Sequence, residues 1–324
     1  MRVLAHVHTF NDADIIEQTL DALQRQSRQP DAIIIVDNAS TDGTLDRAFP
    51  ERVTVISNSV NLGTSGAVRI GFIYALEHGF DWIWILDADS APEPGALQTL
   101  LGLYAGFPQD LQEETGFLAC LPYDQPDGVP LQGGVFTPLG RAPVRPEPGQ
   151  RYYPFHVANW SGCLYRLAAV RQIGLPNPEY VLDWGEYEYA YRVMKANYKA
   201  FLHQDAVLRH NIRGTPSLVP TPLKLGPITL TFYELPPTRC YYTVRNTLYF
   251  TLYEVAQGRF GLLRGAVWRV RPAPGRPGLM RGAAWRVLLF TLNFLLRPSN
   301  HGAQIRACFR GIWHGVTGNI AARY

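Results

Sequence analysis

The chain of 324 residues has little of what marks secreted, zinc-stapled or membrane-spanning proteins. Its four cysteines, Cys120, Cys163, Cys240 and Cys308, lie far apart. That spacing suggests neither a zinc site nor a disulfide framework, and suits a reducing, cytoplasmic setting. The opening MRVLAHVHTFNDADIIEQ turns polar after a short strand-like run, so no secretory signal is expected. No uninterrupted apolar run reaches the roughly 18 residues of a spanning helix. Acidic residues are nearly missing from one region. From Arg239 to the end there are 13 Arg, no Lys and one acid, Glu254, against 17 basic and 26 acidic residues in positions 1–238. A tail so one-sided in charge suggests an anionic partner.

What is present reads as an α/β chain. RVLAHVHTF is a first strand, and DADIIEQTLDALQRQ spaces Ile15, Ile16, Leu20 and Leu23 as a helix, with Asn11 or Asp12 as N-cap. DAIIIVDNASTDGT is an apolar strand ending at Asp37, then a polar turn and a short helix. RVTVISN is a third strand, and NLGTSGAVRIGFIYALEHG a glycine-rich turn and helix closing at Gly79. DWIWILDAD is a fourth strand, followed by the helix EPGALQTLLGLYAG. Strands that are apolar along their length and alternate with helices predict a parallel sheet covered on both faces. Ligands of such sheets bind at the strands' carboxyl ends, where Asp37, Asp87 and Asp89 stand. Residues 123–153, rich in Pro and Gly, read as an irregular excursion. NWSGCLYRLAAVRQIG then gives a strand or turn and a short helix. A helix from about Glu186 and a strand ending near His210 follow, and a Pro-rich stretch, 215–237, leads to the tail.

The run WIWILDADSAPEP carries the sharpest chemistry. In an extended chain Asp87 and Asp89 share a face. Two carboxylates so close raise one another's pKa unless a cation compensates. Few hard oxygen ligands suit Mg²⁺ or Mn²⁺ shared with a diphosphate; the plainer alternative is a solvated acidic loop. Asp37 either caps its turn or accepts the imide N–H of a pyrimidine. Gly63 and Gly66 open a helix whose N-terminus favours phosphate, or an ordinary helix entry. In LDWGEYEYAYR, Glu188–Arg192 fits a routine helical pair. Asp183, Glu186 and Glu188 among Trp184, Tyr187 and Tyr189 also fit a sugar-stacking wall with a general base. His210 is either a structural histidine or a metal ligand through neutral imidazole.

Taken together, VDNASTDGT, NLGTSGAVRIG with WIWILDADSAPEP, NWSGCLYR, and VLDWGEYEYAYR followed by LRH resemble the family 2 inverting glycosyltransferases over roughly residues 3–212. The likeness is greatest to bacterial rhamnosyl- and galactofuranosyltransferases of envelope polysaccharides, which carry a segment like RCYYTVRN (239–246). The resemblance implies the GT-A fold: a Rossmann-like, mostly parallel sheet with helices on both faces, plus a mainly helical C-terminal extension. It implies a catalytic domain over 1–212 (nucleotide-sugar half 1–122, acceptor half 123–212), a connector over 213–238 and an Arg-rich helical region over 239–324. Thr9 and Asn11 would line the nucleoside pocket, Asp37 would read the pyrimidine, and Asn61, Gly63 and Ser65 would touch ribose or diphosphate. Asp87 and Asp89 form the Asp-X-Asp element, with His210 as a further ligand to Mn²⁺ or Mg²⁺. The base falls on Glu186, with Asp183 as runner-up, and Trp184 helps form the acceptor platform. The chain departs from many relatives in having Ala88 in place of a third Asp, and Glu in place of Asp as base.

The implied reaction moves a sugar from a UDP- or dTDP-sugar to a hydroxyl of a glycan or polyprenyl-linked acceptor in cell-envelope polysaccharide synthesis. The tail, with the apolar stretch 285–296 beside arginines, suits attachment to an anionic membrane surface on the cytoplasmic face; internal packing or a homo-oligomer contact is the alternative. Nucleic acid is a poorer partner, because Lys is absent and apolar residues are interleaved. Two other functions fit the pattern less well. A sugar nucleotidyltransferase would show a Gly-rich basic signature after the first strand. A catalytically inactive nucleotide-sugar or glycan-binding protein would not need the whole acidic set.

Overall fold

The computed structural model describes residues 1–125, 127–137, 140–144, 146–213, 219–225, 228–255, 287, 288 and 302–324. Among the described residues, fourteen strands appear in chain order. They are β1 (Val3–Thr9), β2 (Ala32–Asp37), β3 (Val53–Ser57), β4 (Trp82–Asp87), β5 (Ala91–Pro92), β6 (Thr115–Asp124) and β7 (Val129–Pro130). After them come β8 (Gly134–Thr137), β9 (Gly140–Pro143), β10 (Tyr152–Phe155), β11 (Cys163–Arg166), β12 (Lys199–His210), β13 (Val219–Leu225) and β14 (Ile228–Glu234). The helices are α1 (Ile16–Gln24), α2 (Gly63–Glu77), α3 (Ala96–Ala105), α4 (Gln109–Glu114), α5 (Leu167–Ile173), α6 (Gly185–Lys195), α7 (Pro237–Tyr249) and α8 (Gly302–Thr317). A π-helical stretch, Phe250–Val255, follows α7.

The chain divides into two compact units. The first comprises residues 1–135, 143–178 and 185–215; the second comprises 136–142, 179–184 and 216–324. The main sheet runs β10-β12-β6-β11-β4-β1-β2-β3. Strands β3, β2, β1 and β4 are mutually parallel, as are β6 and β12. Antiparallel β11 joins the two parallel blocks.

Alternation in the strands sorts side chains onto two covered faces. Val3, Ala5, Val7, Ile33, Ile35, Trp82 and Trp84 pack with Ile16, Leu20 and Leu23 of α1 and Leu97 and Leu100 of α3. Leu4, Ile34, Val36, Ile83 and Ile85 pack with Val68 and Phe72 of α2, Val170 of α5, and Tyr189 and Val193 of α6. Each fully buried Val, Leu, Ile or Phe among them contributes about 1.5–3 kcal/mol. The sheet therefore holds the carboxyl ends of β1, β2 and β4 side by side, with Thr9 opposite Asp37 and His8 opposite Asp87.

Several expectations are corrected. No helix follows β2. Polar side chains take up the backbone of that segment instead: Asp42 accepts from the Thr44 N–H (3.0 Å) and Asn11 from the Thr41 N–H (2.8 Å). Neither Asn11 nor Asp12 caps α1 with its side chain. Ile15 holds the cap position, while the Asp12 carboxylate receives the Thr9 hydroxyl at 2.9 Å and the Phe10 N–H at 3.0 Å. β3 is an edge strand with exposed Thr54, Val55 and Ser57, not a core strand. The stretch 123–153 is not structureless, since β7 to β9 and the first residues of β10 lie within it. Within 213–238, β13 and β14 pair as an antiparallel hairpin.

In the second unit α8 lies on α7. A Cβ on Gly311 would stand 2.7 Å from the Tyr241 carbonyl oxygen, and one on Gly315 2.8 Å from that of Arg245. Only glycine permits that approach. Apart from Val287 and Leu288, the apolar stretch 285–296 lies outside the described residues. Among the described residues, no helix is long and apolar enough to cross a membrane.

Candidate active site at the strand ends

Asp87 ends β4, and the chain turns at once through Ala88, Asp89 and Ser90 into β5. That short strand pairs antiparallel with β12, Ala91 opposite Arg209 and Pro92 opposite Leu208, and the Ile212 N–H donates to the Asp89 carbonyl at 2.9 Å. The acidic turn is thereby strapped to the strand that ends in His210. One ligand atom each from Asp87, Asp89 and His210 lies within 4.8 Å of the others. Two carboxylates and an imidazole in partial burial suit a divalent cation.

The two carboxylates are in opposite electrostatic states. Burial, then the neighbouring Asp87 charge, push the Asp89 pKa up to about 6. Burial would raise Asp87 too, but a hydrogen bond from His8 and the fields of His8, His210 and His6 outweigh it and hold Asp87 low. His8 Nε2 lies 2.9 Å from Asp87 Oδ1, so that oxygen is engaged, and Oδ2 faces His210 Nδ1 at 3.8 Å. A buried serine relay completes the cluster. Ser161 Oγ accepts the Asp87 N–H (3.1 Å) and donates to Ser90 Oγ (2.9 Å), which meets His210 Nδ1 at 3.0 Å. Such partners fix ring orientation and tautomer in metal-binding histidines. Sequence reasoning missed His8, Ser90 and Ser161. Ser90 follows the acid pair directly, but His8 and Ser161 are brought in by strand register and by a loop distant in sequence.

The sites expected to hold a nucleoside lie beside this cluster, and each is locally tied. Asp37 is 1% exposed. Its Oδ1 accepts from Ser40 Oγ (2.5 Å) and its Oδ2 from the Ser40 N–H (3.1 Å), so the turn-capping role is present in full. The Asn11 N–H donates to Ser40 Oγ at 2.8 Å and the Asn38 N–H to the Thr9 carbonyl at 2.9 Å, stitching the loops after β1 and β2. Asn11 adopts a left-handed φ of 58°. Asn61 Oδ1 takes the N–H of Gly63, the first residue of α2, at 2.8 Å, while Leu62 at the cap position makes no side-chain bond to the helix. Ser65 is buried against Gly185, where any Cβ would stand 1.8 Å from Ser65 Oγ. Across the cluster, Arg213 pairs with Asp12 (2.9 Å) and Asp14 (2.7 Å).

The acids of LDWGEYEYAYR separate into distinct roles. Glu186 is half-buried in the first turn of α6. Glu188 is buried and paired with Arg192 Nε at 2.5 Å, and Arg192 also donates to the carbonyls of Ile173 (3.0 Å) and Leu175 (2.9 Å). That pair is structural. In the second unit, Asp183 receives Arg239 Nη2 (3.1 Å), Arg239 Nε (3.3 Å) and the Thr243 hydroxyl (2.7 Å). Asp183 and Trp184 both have left-handed φ, 58° and 70°, and Trp184 stacks obliquely on Phe250, centroids 5.4 Å apart. Asn246 Nδ2 donates to the carbonyls of Leu182 (2.8 Å) and Asp183 (2.9 Å), and buried Arg245 to that of Glu179 (2.6 Å). The segment RCYYTVRN is thus a bracket for the loop 179–184.

Comparison with known proteins agrees with this architecture. Residues 5–110 match the Glycosyl transferase family 2 model. The chain is 29% identical over 216 residues to the galactofuranosyltransferase GlfT1 of Mycobacterium tuberculosis, covering 64% of this chain and 69% of that protein. It is 26% identical over 239 residues to the N-acetylglucosaminyl-diphospho-decaprenol L-rhamnosyltransferase of the same species, covering 64% of this chain and 75% of that one. Among solved structures it is similar to GalNAc-T7 with UDP, GalNAc and Mn²⁺, with a TM-score of 0.54, 15% identity, and coverage of 65% of this chain and 44% of that one. At that identity the likeness is one of fold. The chain spans less than half of that protein's length.

Proposed function

We propose that this chain, whose residues 5–110 are a Glycosyl transferase family 2 domain, is an inverting glycosyltransferase. It moves a sugar from a UDP- or dTDP-sugar to a hydroxyl of a glycan or polyprenyl-linked acceptor in envelope polysaccharide synthesis. The observation that carries this reading is the convergence of Asp87, Asp89 and His210 within 4.8 Å at the carboxyl edge of the sheet. Asp89, its pKa raised to about 6, is a half-buried acid short of a counter-charge, which a divalent cation would supply. Mn²⁺ or Mg²⁺ held there would neutralise charge on the diphosphate.

The protein's own groups account for the rest. Thr9, Asn11 and Asp37 border the nucleoside. The Asp37 carboxylate, already accepting from Ser40, keeps lone pairs for a pyrimidine imide. Asn61, Gly63 and Ser65 and the start of α2 receive ribose and diphosphate, because a helix N-terminus presents N–H groups and positive potential. Glu186 accepts the acceptor hydroxyl proton as that oxygen attacks the anomeric carbon. The anomeric C–O bond to the diphosphate breaks on the opposite side, the nucleoside diphosphate leaves with the electron pair, and the configuration inverts. Asp183, whose carboxylate oxygens accept from Arg239 and the Thr243 hydroxyl, is the runner-up for that role. Trp184 contributes to the acceptor platform, and the Arg-rich tail attaches the protein peripherally to the cytoplasmic membrane face.

The test is calorimetric titration with UDP, dTDP and GDP, each with and without Mn²⁺. Metal-dependent binding of UDP or dTDP is the expected result. No binding to any of the three would make the acid cluster structural and remove the catalytic reading.

A further inference from the structure

Helix α8 is built the wrong way round for a helix that only packs inside a protein. Its inward side is small: Ala307 and Cys308 are 1% and 0% exposed, and Gly311 and Gly315 touch the α7 backbone. Ile305 and Ile312 pack partly buried against the same core as Ala307 and Cys308, but three further large apolar residues point out. Phe309 is 58% exposed, Trp313 68% and Val316 43%. At spacings of four and three they share one helical face. Arg306 and Arg310 are exposed beside them, and Arg310 lies over the Tyr324 ring at 5.8 Å. Leaving a Trp so open to water forgoes the burial that usually stabilises it.

The chemistry of this face selects its partner. Residues 255–324 hold eleven Arg and no acidic residue, so the complementary surface is anionic. An aromatic and aliphatic stripe flanked by guanidinium groups matches the boundary of a bilayer, where Trp and Phe enter the headgroup level and Arg meets lipid phosphate. We infer that the Phe309–Trp313–Val316 face of α8, with Arg306 and Arg310, is the surface by which this protein docks on anionic phospholipid. This rests on the peripheral attachment proposed above and names the face that performs it.

The experiment is co-sedimentation of the full chain with phosphatidylcholine vesicles, with and without phosphatidylglycerol. The wild type is expected to bind only the anionic vesicles, and more weakly as salt rises. F309S/W313S should weaken binding by about tenfold or more, and R306Q/R310Q by about tenfold. Unchanged thermal unfolding in both variants would show an intact fold, with R306Q alone as the charge test free of the Arg310 bond to the Arg323 carbonyl. Wild-type binding that survives F309S/W313S would overturn the face while leaving membrane attachment standing. A wild type indifferent to anionic vesicles would overturn both, and metal-dependent nucleotide binding would still test the catalytic reading separately. Ultracentrifugation without lipid provides another way to refute it: a dimer split by F309S/W313S, with no vesicle binding, would assign the face to a second copy.

Discussion

Two acidic sites, one in each unit, are treated in opposite ways. At the strand ends of the first, Asp87 and Asp89 are crowded together. His8 and His210 satisfy Asp87 only partly, and Asp89 carries the unresolved charge as a pKa of about 6. In the second, Asp183 has a bidentate arginine and a hydroxyl, and Arg245, fully buried, donates to the carbonyls of Glu179 (2.6 Å) and Ala322 (2.5 Å). On the reading proposed above, the first cluster is the one a ligand completes, whereas the second is completed by its own neighbours. The same contrast divides the acids around α6, where Glu188 is consumed by Arg192.

The largest expected effect tests that division directly. Glu186→Gln should lower transfer by about 10³-fold with nucleotide affinity preserved, as loss of a general base does. Asp183→Asn should mainly lower stability, by about 1–2 kcal/mol. Steady-state rates on both variants decide the matter, and the reverse pattern would exchange their roles. Next in size, Arg245→Met should cost about 3 kcal/mol in denaturant unfolding. It leaves buried carbonyl oxygens without donors.

Asp89→Asn sharpens the contrast further, because it should harm binding and help folding. Metal-dependent tightening of nucleotide should disappear, while the metal-free protein gains about 1–3 kcal/mol at pH 7. The sign follows from the raised pKa. Between the unfolded value near 4 and the folded value of about 6, the native state holds the extra proton, so metal-free stability falls as pH rises through that window. Thermal melts of wild type and variant at pH 4.5 and pH 7.5 measure it, and equal differences at both would refute it. The smallest effect belongs to His8→Gln, which keeps a donor but loses the ring geometry. Mn²⁺ affinity by electron paramagnetic resonance should fall by about tenfold.

Some of this could be read from residue order and some could not. The continuous apolar runs of β1, β2 and β4 have no other stable place than a covered sheet, and their ends placed Asp37, Asp87 and Asp89 together at one edge. The edge position of β3 was hidden, since VTVIS is as strand-like as its neighbours and only pairing on one side exposes it. The helix expected after Asp37 failed because polar side chains from neighbouring loops captured the backbone. His8 looked like any strand residue until the parallel register set it opposite Asp87.

By itself the sequence determined the alternating α/β order, the acid pair closing β4, and a tail whose arginines outnumber a single acid. Those depend on local periodicity and composition, which residue order carries directly. Only the tertiary structure decided which histidine faces each oxygen of Asp87, that Arg239 and Thr243 hold Asp183, and which side of α8 turns outward. Each of those depends on the partner a side chain meets across strands, loops and helices far apart in sequence. Partnership at such distances is set by register, strand order and glycine contacts, which no local pattern encodes.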